Sequence, residues 1–203
     1  MPLQNRVTPF GDIVALEGRG LMLGNRGIVH DDHKKIVRNA QVRRWIACVI
    51  EFRGIRRELM QPHRWTQLFF LDEAAAFSAG HRPCAYCRRQ DYKRFCAVWQ
   101  QCFGGAVGAD LIDNQLHADR LEKRKKRTYR ADLASLPEGA YVAIDGVAWL
   151  VLGNELLEWS AGEYLSRRPR VKMREVEVLT PRSIVDVFEA GYRPTVHPSA
   201  HRA

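Results

Sequence analysis

No run of apolar residues in this chain is long enough to cross a membrane. The 203 residues contain no stretch near the roughly 18 uninterrupted apolar positions that a membrane-spanning helix needs. Residues 1–6 contain no apolar signal region, and internal repeats are missing as well. Because 46% of the residues are apolar, a hydrophobic core can form and disorder is not expected. These features favour a globular, cytoplasmic protein without a membrane partner.

Cysteines are few and odd in number, which argues against a complete disulfide framework. The five are Cys48, Cys84, Cys87, Cys96 and Cys102. In a chain without an export signal they should be reduced thiols, and therefore either core residues or metal ligands. Cys96 and Cys102 fall on the apolar stripe of a predicted helix and Cys48 falls in an apolar strand, so we expect these three in the core.

Acidic residues are in deficit, with 23 Asp and Glu against 32 Lys and Arg, for a formal charge of +9. A clustered positive surplus favours binding of polyanions, and aromatic residues beside the arginines can stack on unpaired bases. A well-solvated surface is the alternative. The candidate residues for nucleic-acid binding are Arg56, Arg57, Arg64, Arg82, Arg88, Arg89, Lys123, Arg124, Lys125, Lys126 and Arg127.

The first half of the chain combines turn signals with short strand and helix patterns. Glycines punctuate residues 1–40 and predict turns. Residues 45–52 and 65–71 are apolar and predict buried strands. Asp72 is the expected N-cap of a short helix over residues 73–79, which Gly80 ends.

The second half predicts a longer helix, a β meander and a C-terminal helix. Asp145-Gly146 between two apolar runs is a strong hairpin signal, and Thr180 is the expected N-cap of the last helix. We expect an α+β fold in two domains, residues 1–105 and 106–203. The predicted elements are helices over 88–103, 109–123 and 180–190, and strands over 141–144, 147–152, 155–159 and 174–179.

The motif Cys84-Ala85-Tyr86-Cys87 carries the clearest chemistry in the chain. Two thiolates at this spacing can supply half of a tetrahedral zinc site. A redox pair uses the same spacing, but it needs a thioredoxin-like strand and helix that the pattern does not predict here. Zinc is therefore the expected cofactor.

Residues 69–87 resemble the end of the metal-binding domain of the Ada family of methylphosphotriester DNA repair proteins. The resemblance rests on an aromatic pair, an Ala-rich helix and the segment Ala79-Gly80-His81-Arg82-Pro83 before the two cysteines, and it covers about residues 45–88. It implies a small Ada-like zinc-domain fold with helices, followed here by a small antiparallel β meander and a C-terminal helix. It also implies contact with DNA, which is favoured over RNA as the partner.

The loop over residues 53–66 contains no cysteine, whereas the family takes two zinc ligands, including the methyl-accepting one, from this loop. Methyl transfer is therefore not part of the expectation. We predict instead that His63 or His81 joins Cys84 and Cys87, because neutral imidazole is a proper zinc ligand.

Two alternatives to a nucleic-acid-binding zinc protein remain open. Asp113 and His117 lie four residues apart on one face of a predicted helix, where they can orient a general base or hold a divalent metal for a nuclease or other phosphoesterase. A solvated helix face explains the same pair. The third interpretation is a non-enzymatic protein-interaction module with the β meander as its binding edge.

Overall fold

The computed structural model describes residues 1–54, 58–123, 125–171 and 175–202. A six-stranded mixed sheet forms the N-terminal part. Its order is β2-β1-β5-β3-β4-β6, with the pairs β1–β5 and β4–β6 parallel and the others antiparallel. The strands are β1 (Arg6–Val7), β2 (Ile13–Val14), β3 (Met22–Asn25), β4 (Ile46–Val49), β5 (Leu68–Phe70) and β6 (Arg82–Pro83).

A second six-stranded sheet, wholly antiparallel, forms the C-terminal part in the order β13-β12-β11-β10-β14-β9. Between the two sheets in the chain lies a two-stranded hairpin of β7 (Leu121–Glu122) and β8 (Lys125–Lys126). The strands of the second sheet are β9 (Tyr129–Asp132), β10 (Tyr141–Ile144), β11 (Val147–Leu152), β12 (Glu155–Trp159), β13 (Tyr164–Pro169) and β14 (Glu175–Val178).

Four α-helices are present in the described ranges, and they pack beside the sheets. A buried aromatic cluster joins three of them, with Phe77, Phe95 and Phe188 at its centre. Cys96 and Cys102, each half-buried, pack against the edge of this cluster. None of these helices is both long and apolar enough to span a bilayer. The helices are α1 (Glu73–Ser78), α2 (Arg89–Phe103), α3 (Ala109–Arg120) and α4 (Arg182–Glu189), with 3-10 turns at Leu133–Ser135 and Pro198–His201.

The predicted fold class, a small helix-containing zinc domain followed by a short meander, is wrong. The described residues are mostly sheet, in three sheets of six, six and two strands, with only four α-helices. One reason is that the glycine-rich segment over residues 1–40, predicted as turns, supplies β1, β2 and β3. Strands of two to four residues have too short a pattern to be recognised by alternation, and neighbouring strands define them instead.

Several local predictions are confirmed. The Asp72 side chain accepts from the backbone N–H of Ala75 at 2.8 Å and caps α1, and β10 and β11 pair around the predicted turn at Asp145. Thr180 is not the N-cap of α4, however. Its hydroxyl accepts from the backbone N–H of Tyr141 at 2.8 Å, and the helix begins after Pro181 without a side-chain cap.

The start of α1 is also linked by buried hydrogen bonds to β13 of the C-terminal sheet and to the segment that follows α4. The Tyr164 hydroxyl donates to Asp72 at 2.6 Å, and the Tyr192 hydroxyl donates to Glu73 at 2.8 Å. The largest apolar cluster likewise contains residues from both six-stranded sheets, for example Leu68 and Leu150, each fully buried. The two sheets therefore share one core.

Candidate metal centre

Three cysteine sulfurs lie together at the end of the parallel strand pair β4–β6. Those of Cys48, Cys84 and Cys87 are all within 4.8 Å of one another. The register explains why the first two meet: Ala47 pairs with Pro83, and the residue that follows each of them in the sequence is a cysteine. The backbone N–H of Cys84 donates to the Ala47 carbonyl at 2.9 Å and holds this alignment.

A tight turn brings the third sulfur to the other two. The Arg88 N–H donates to the Cys84 carbonyl at 3.1 Å, so residues 84–88 form a helical turn that leads into α2. The backbone N–H groups of Tyr86 and Cys87 point at the Cys84 sulfur. Such N–H to sulfur bonds stabilise the thiolate form, which is the form that binds metals.

The three thiols share protons unequally. Hydrogen bonds from Cys48 and then from Cys87 lower the pKa of Cys84, and backbone N–H groups add to this shift. The same contact with Cys84 raises the pKa of Cys48. At Cys87 the hydrogen bond with Cys48 lowers the pKa, but contact with Cys84 and burial outweigh it, so the pKa is raised. These directions favour the thiolate form at Cys84 over the thiolate forms of Cys48 and Cys87.

The sulfurs form part of the wall of an apolar cavity of about 220 Å³. Cys84 is buried, with 8% of its surface exposed, whereas Cys48 and Cys87 are half-buried and reachable from the cavity. A metal ion bound here would therefore have an apolar, accessible side. The remaining lining residues are Leu23, Val49, Ile50, Phe52, Trp65, Gln67, Phe69 and Tyr86.

Neither predicted histidine ligand belongs to the sulfur group. His63 lies in an exposed loop. His81 is fully buried, with Nε2 at 3.4 Å from Nε of Arg26 and its ring packed on Phe70 and Trp45. Burial, followed by the charges of Arg26 and Arg120, lowers the pKa of His81 well below its ordinary value, so the ring is neutral. Within the described parts of the chain, the only cluster of three or more potential metal ligands is the cysteine group.

The third sulfur of the group, that of Cys48, is not identified by the sequence pattern, which predicts a core position for this residue. Its position in an apolar strand carries no ligand-spacing signal. Only the parallel pairing of β4 with β6 brings it to the Cys84–Cys87 turn. A spatial neighbour across a sheet has no fixed sequence separation, so no spacing rule can identify it.

Exposed aromatic and cationic groups lie at the mouth of the cavity. Tyr86, 66% exposed, packs edge-on against Phe52 with a centroid separation of 5.1 Å. The exposed Arg53 donates to the Tyr86 hydroxyl at 3.1 Å, and its guanidinium carbon lies 5.5 Å from the ring centroid. Arg64 and Arg89, each within two residues of a lining residue, are also exposed.

Other predicted nucleic-acid-binding residues lie inside the protein. Arg82, 3% exposed, forms a bidentate pair with Asp113 at 3.0 and 2.7 Å. Arg88, 6% exposed, binds Glu73 at 2.6 Å and Asp91 at 2.8 Å. Both side chains hold structural elements together and are not free for phosphate.

The basic run over residues 123–127 contains both outward and inward side chains. Lys123, Lys125 and Arg127 are exposed, whereas Lys126 donates to the carbonyl of Ser78. The remaining candidates, Arg56, Arg57 and Arg124, lie outside the described residues.

The pair proposed for a nuclease, Asp113 and His117, is already engaged. Both Asp113 oxygens accept from Arg82 inside the protein, and the half-buried His117 has Nδ1 at 3.4 Å from Nη2 of Arg120. Burial and then Arg120 lower the pKa of His117. The geometry brings this pair into no metal-binding group among the described residues.

Comparison with known proteins gives no match to a family model, to a curated protein or to a solved structure. The geometry of the sulfur group and its surroundings therefore provides the basis for assigning a function.

Proposed function

We propose that the protein binds one zinc ion through Cys48, Cys84 and Cys87, and that this centre lies on a surface that binds single-stranded nucleic acid. The observation that carries the proposal is the meeting of the three sulfurs within 4.8 Å. The proposal concerns binding and names no reaction.

The donor set fits zinc in kind and in size. Zinc–sulfur bonds of about 2.3 Å in tetrahedral geometry place sulfur ligands about 3.8 Å apart, a spacing that small side-chain movements reach from the separations found here. Soft thiolates favour zinc over magnesium or calcium. Because Cys84 already has a lowered pKa, binding requires the loss of protons mainly from Cys48 and Cys87.

Three protein ligands leave one position of a tetrahedral ion to another donor. Gln67, the only amide side chain among the described residues that line the cavity, accepts at Oε1 from the Met60 N–H at 2.8 Å and is therefore not free to bind a metal through that oxygen. The fourth position would therefore face the apolar cavity and take water or a ligand atom. Zinc sites with three protein ligands and one open position are typical of reactive rather than purely structural centres.

The surface around the cavity has the composition of a single-strand binding site. An exposed aromatic ring, Tyr86, supplies a face on which a base can stack, and base–aromatic stacking contributes about 1–3 kcal/mol per base. The exposed Arg53 contacts Tyr86 and can bind a phosphate. Arg64 and Arg89, also exposed, lie within two residues of lining residues in the sequence. The net charge of +9 adds a general attraction for polyanions.

Elemental analysis of the purified protein tests the metal centre. We expect about one zinc per chain in the wild type and a large loss in Cys84→Ser, because two sulfurs alone bind zinc weakly. Cys102→Ser is the matched control, since this thiol donates to the Asp186 carbonyl at 3.5 Å and a hydroxyl can do the same. Cobalt substitution should give sulfur-to-metal charge-transfer bands in the control but not in Cys84→Ser. A wild type free of metal after purification and after zinc reconstitution would refute the proposal.

Fluorescence anisotropy with a short single-stranded oligonucleotide tests the surface. Tyr86→Ala should weaken binding by about 1–3 kcal/mol, because one stacking face is lost while the exposed position leaves the fold intact. Arg53→Gln should reduce the salt dependence by about 0.7 in slope per lost phosphate contact. The control for charge, Lys35→Gln, removes an exposed cation elsewhere. Equal affinities in Tyr86→Ala and wild type would contradict the nucleic-acid part alone.

A further inference from the structure

A second cavity, of about 280 Å³, lies next to the β7–β8 hairpin and has four cations in its wall. Lys125 is exposed, whereas the other three are buried or half-buried. Arg26 follows β3, Arg120 ends α3 and Lys126 belongs to β8. The other lining residues are Phe10, Gly11, Asp12, Asn39, Trp45, Ala79, Leu121 and Lys125. None of them belongs to the zinc-site cavity.

Arg26 is almost completely buried, with 1% of its surface exposed. Its Nη1 donates to the Gly11 carbonyl at 2.9 Å, and its guanidinium carbon lies 4.0 Å from the ring centroid of Trp45. The other terminal nitrogen, Nη2, is buried and has no hydrogen-bond partner. A buried donor without a partner is costly, so an acceptor is expected at this nitrogen when the site is in use.

Arg120 is equally buried, at 1% exposure, and also packs on Trp45 with 4.0 Å between guanidinium carbon and ring centroid. Its two terminal nitrogens donate to the carbonyls of Gly80 at 2.9 Å and Arg43 at 2.6 Å. Its Nε is buried without a partner. Carbonyl dipoles thus orient this cation but do not neutralise it.

Lys126 is the third cation whose charged group is enclosed at this cavity. Its stem is half-exposed, but its ammonium group is enclosed and donates to the Ser78 carbonyl. A Cβ atom on Gly11 would lie 3.7 Å from Cδ of Lys126 and 4.0 Å from Nη2 of Arg26. The side chains of both residues therefore approach the same glycine. Burial, followed by the charge of Arg26, lowers the pKa of Lys126 to about 7.

The wall of this cavity carries more positive than negative charge. Asp12 is the only carboxylate among the described residues of the wall. In the same described ranges, no carboxylate oxygen lies within 4.0 Å of a charged nitrogen of Arg26, Arg120 or Lys126. Uncompensated buried cations destabilise a fold strongly. Such an arrangement is expected where an anion with more than one negative charge binds.

From these contacts we propose that the cavity binds the dianionic phosphate of a phosphomonoester, with Arg26, Arg120 and Lys126 around the phosphate. A phosphomonoester carries nearly two negative charges at neutral pH, which complements the positive surplus of four cations over one carboxylate in the wall. The cavity also shares Asn39, Trp45 and Leu121 with a neighbouring groove of about 620 Å³. The groove provides room for the organic part of the ester, which inorganic phosphate would leave empty.

Calorimetric titration with methyl phosphate at pH 7.5 and constant ionic strength tests the proposal. We expect saturable binding at one site and at least about tenfold weaker binding of dimethyl phosphate, which carries one charge. Lys126→Met should weaken methyl phosphate binding by about tenfold or more through the loss of a charge-assisted hydrogen bond. Lys93→Met, an exposed substitution on α2, should bind as the wild type does.

Asn39→Asp keeps the test decisive if Lys126→Met does not fold, because Asn39 is exposed at the cavity. A new carboxylate there should weaken methyl phosphate binding several-fold, whereas Asn154→Asp in an exposed turn should not. Equal binding of the mono- and diester would assign the cavity to nucleic-acid backbone instead and overturn the proposal, as would absence of saturable binding. The zinc content is measured on the same samples. It shows whether the metal centre is intact when the phosphate-binding proposal fails.

Discussion

At the scale of single residues, Gly80 illustrates how one position serves two neighbouring structures. Its φ of +84° is in the left-handed region and ends α1. A Cβ there would lie 2.5 Å from Cδ of Arg120, inside the contact limit. The Gly80 carbonyl also accepts from Arg120. The absence of a side chain therefore allows the close approach that orients a cation of the second cavity.

Substitution of Gly80 by alanine should be costly for both reasons. We expect Gly80→Ala to lower the free energy of unfolding by about 1 kcal/mol from backbone strain and by a further 1–3 kcal/mol from overpacking against Arg120. Gly146→Ala is the matched control, because Gly146 has a φ of +77° but open space around its Cβ position. Urea unfolding of the wild type, Gly80→Ala and Gly146→Ala separates the cost of backbone strain from the cost of overpacking against Arg120. If both variants lose the same free energy of unfolding, the Arg120 side chain moves away from the new methyl group without cost, which would contradict the overpacking prediction.

At the scale of elements, the basic run over residues 123–127 is organised by a short hairpin rather than forming a uniform exposed stretch. The pair β7–β8 turns Lys125 outward and directs Lys126 towards the end of α1. Among the described cations of this run, the exposed Lys123, Lys125 and Arg127 are accessible to a polyanion, whereas the Lys126 ammonium group is bound to a backbone carbonyl.

Replacing the outward cations Lys123, Lys125 and Arg127 with glutamine should weaken duplex DNA binding without loss of the fold. Each phosphate contact contributes about −0.9 to the slope of log K against log salt, so the slope should flatten by about two to three units. Fluorescence anisotropy titrations at a series of salt concentrations measure this slope. The triple variant Arg19→Gln, Lys35→Gln and Arg38→Gln carries the same charge change at other exposed positions. If both triple variants show the same slope, the hairpin makes no particular contact.

At the scale of the whole molecule, the two six-stranded sheets are joined by one apolar cluster. Leu68 and Leu150, from different sheets, are both fully buried within it. Buried hydrogen bonds from Tyr164 to Asp72 and from Tyr192 to Glu73 cross the same region. Neither sheet can lose its partner without exposing apolar surface and uncoupling buried polar groups, so the two should unfold together.

Truncation of Leu150 in the second sheet should therefore destabilise the first. We expect Leu150→Ala to lower the free energy of unfolding by about 2–5 kcal/mol and to reduce hydrogen-exchange protection equally at the amides of Leu68 and Val151. Leu165→Ala, at a position 61% exposed, should change the free energy of unfolding by less than about 1 kcal/mol. Two separate thermal transitions in the wild type would disprove this coupling.

The sequence alone determined the local features whose causes lie within a few residues. The cap at Asp72, the hairpin around Asp145 and the apolar stripe of α2 follow from hydrogen bonding, turn conformation and periodicity, and each is present in the structure. The spacing of Cys84 and Cys87 also indicates two of the three residues of the sulfur cluster.

Only the tertiary structure decided which distant residues meet. The strands β1 and β2 have two residues each and exist because neighbouring strands pair with them. Cys48 joins the other two sulfurs through the β4–β6 register, and His81 turns to the cations instead of the cysteines. Arg26, Arg120 and Lys126 converge from three separate segments. Sheet pairing and burial have no fixed sequence separation, and for that physical reason the metal centre and the cationic cavity became visible only in three dimensions.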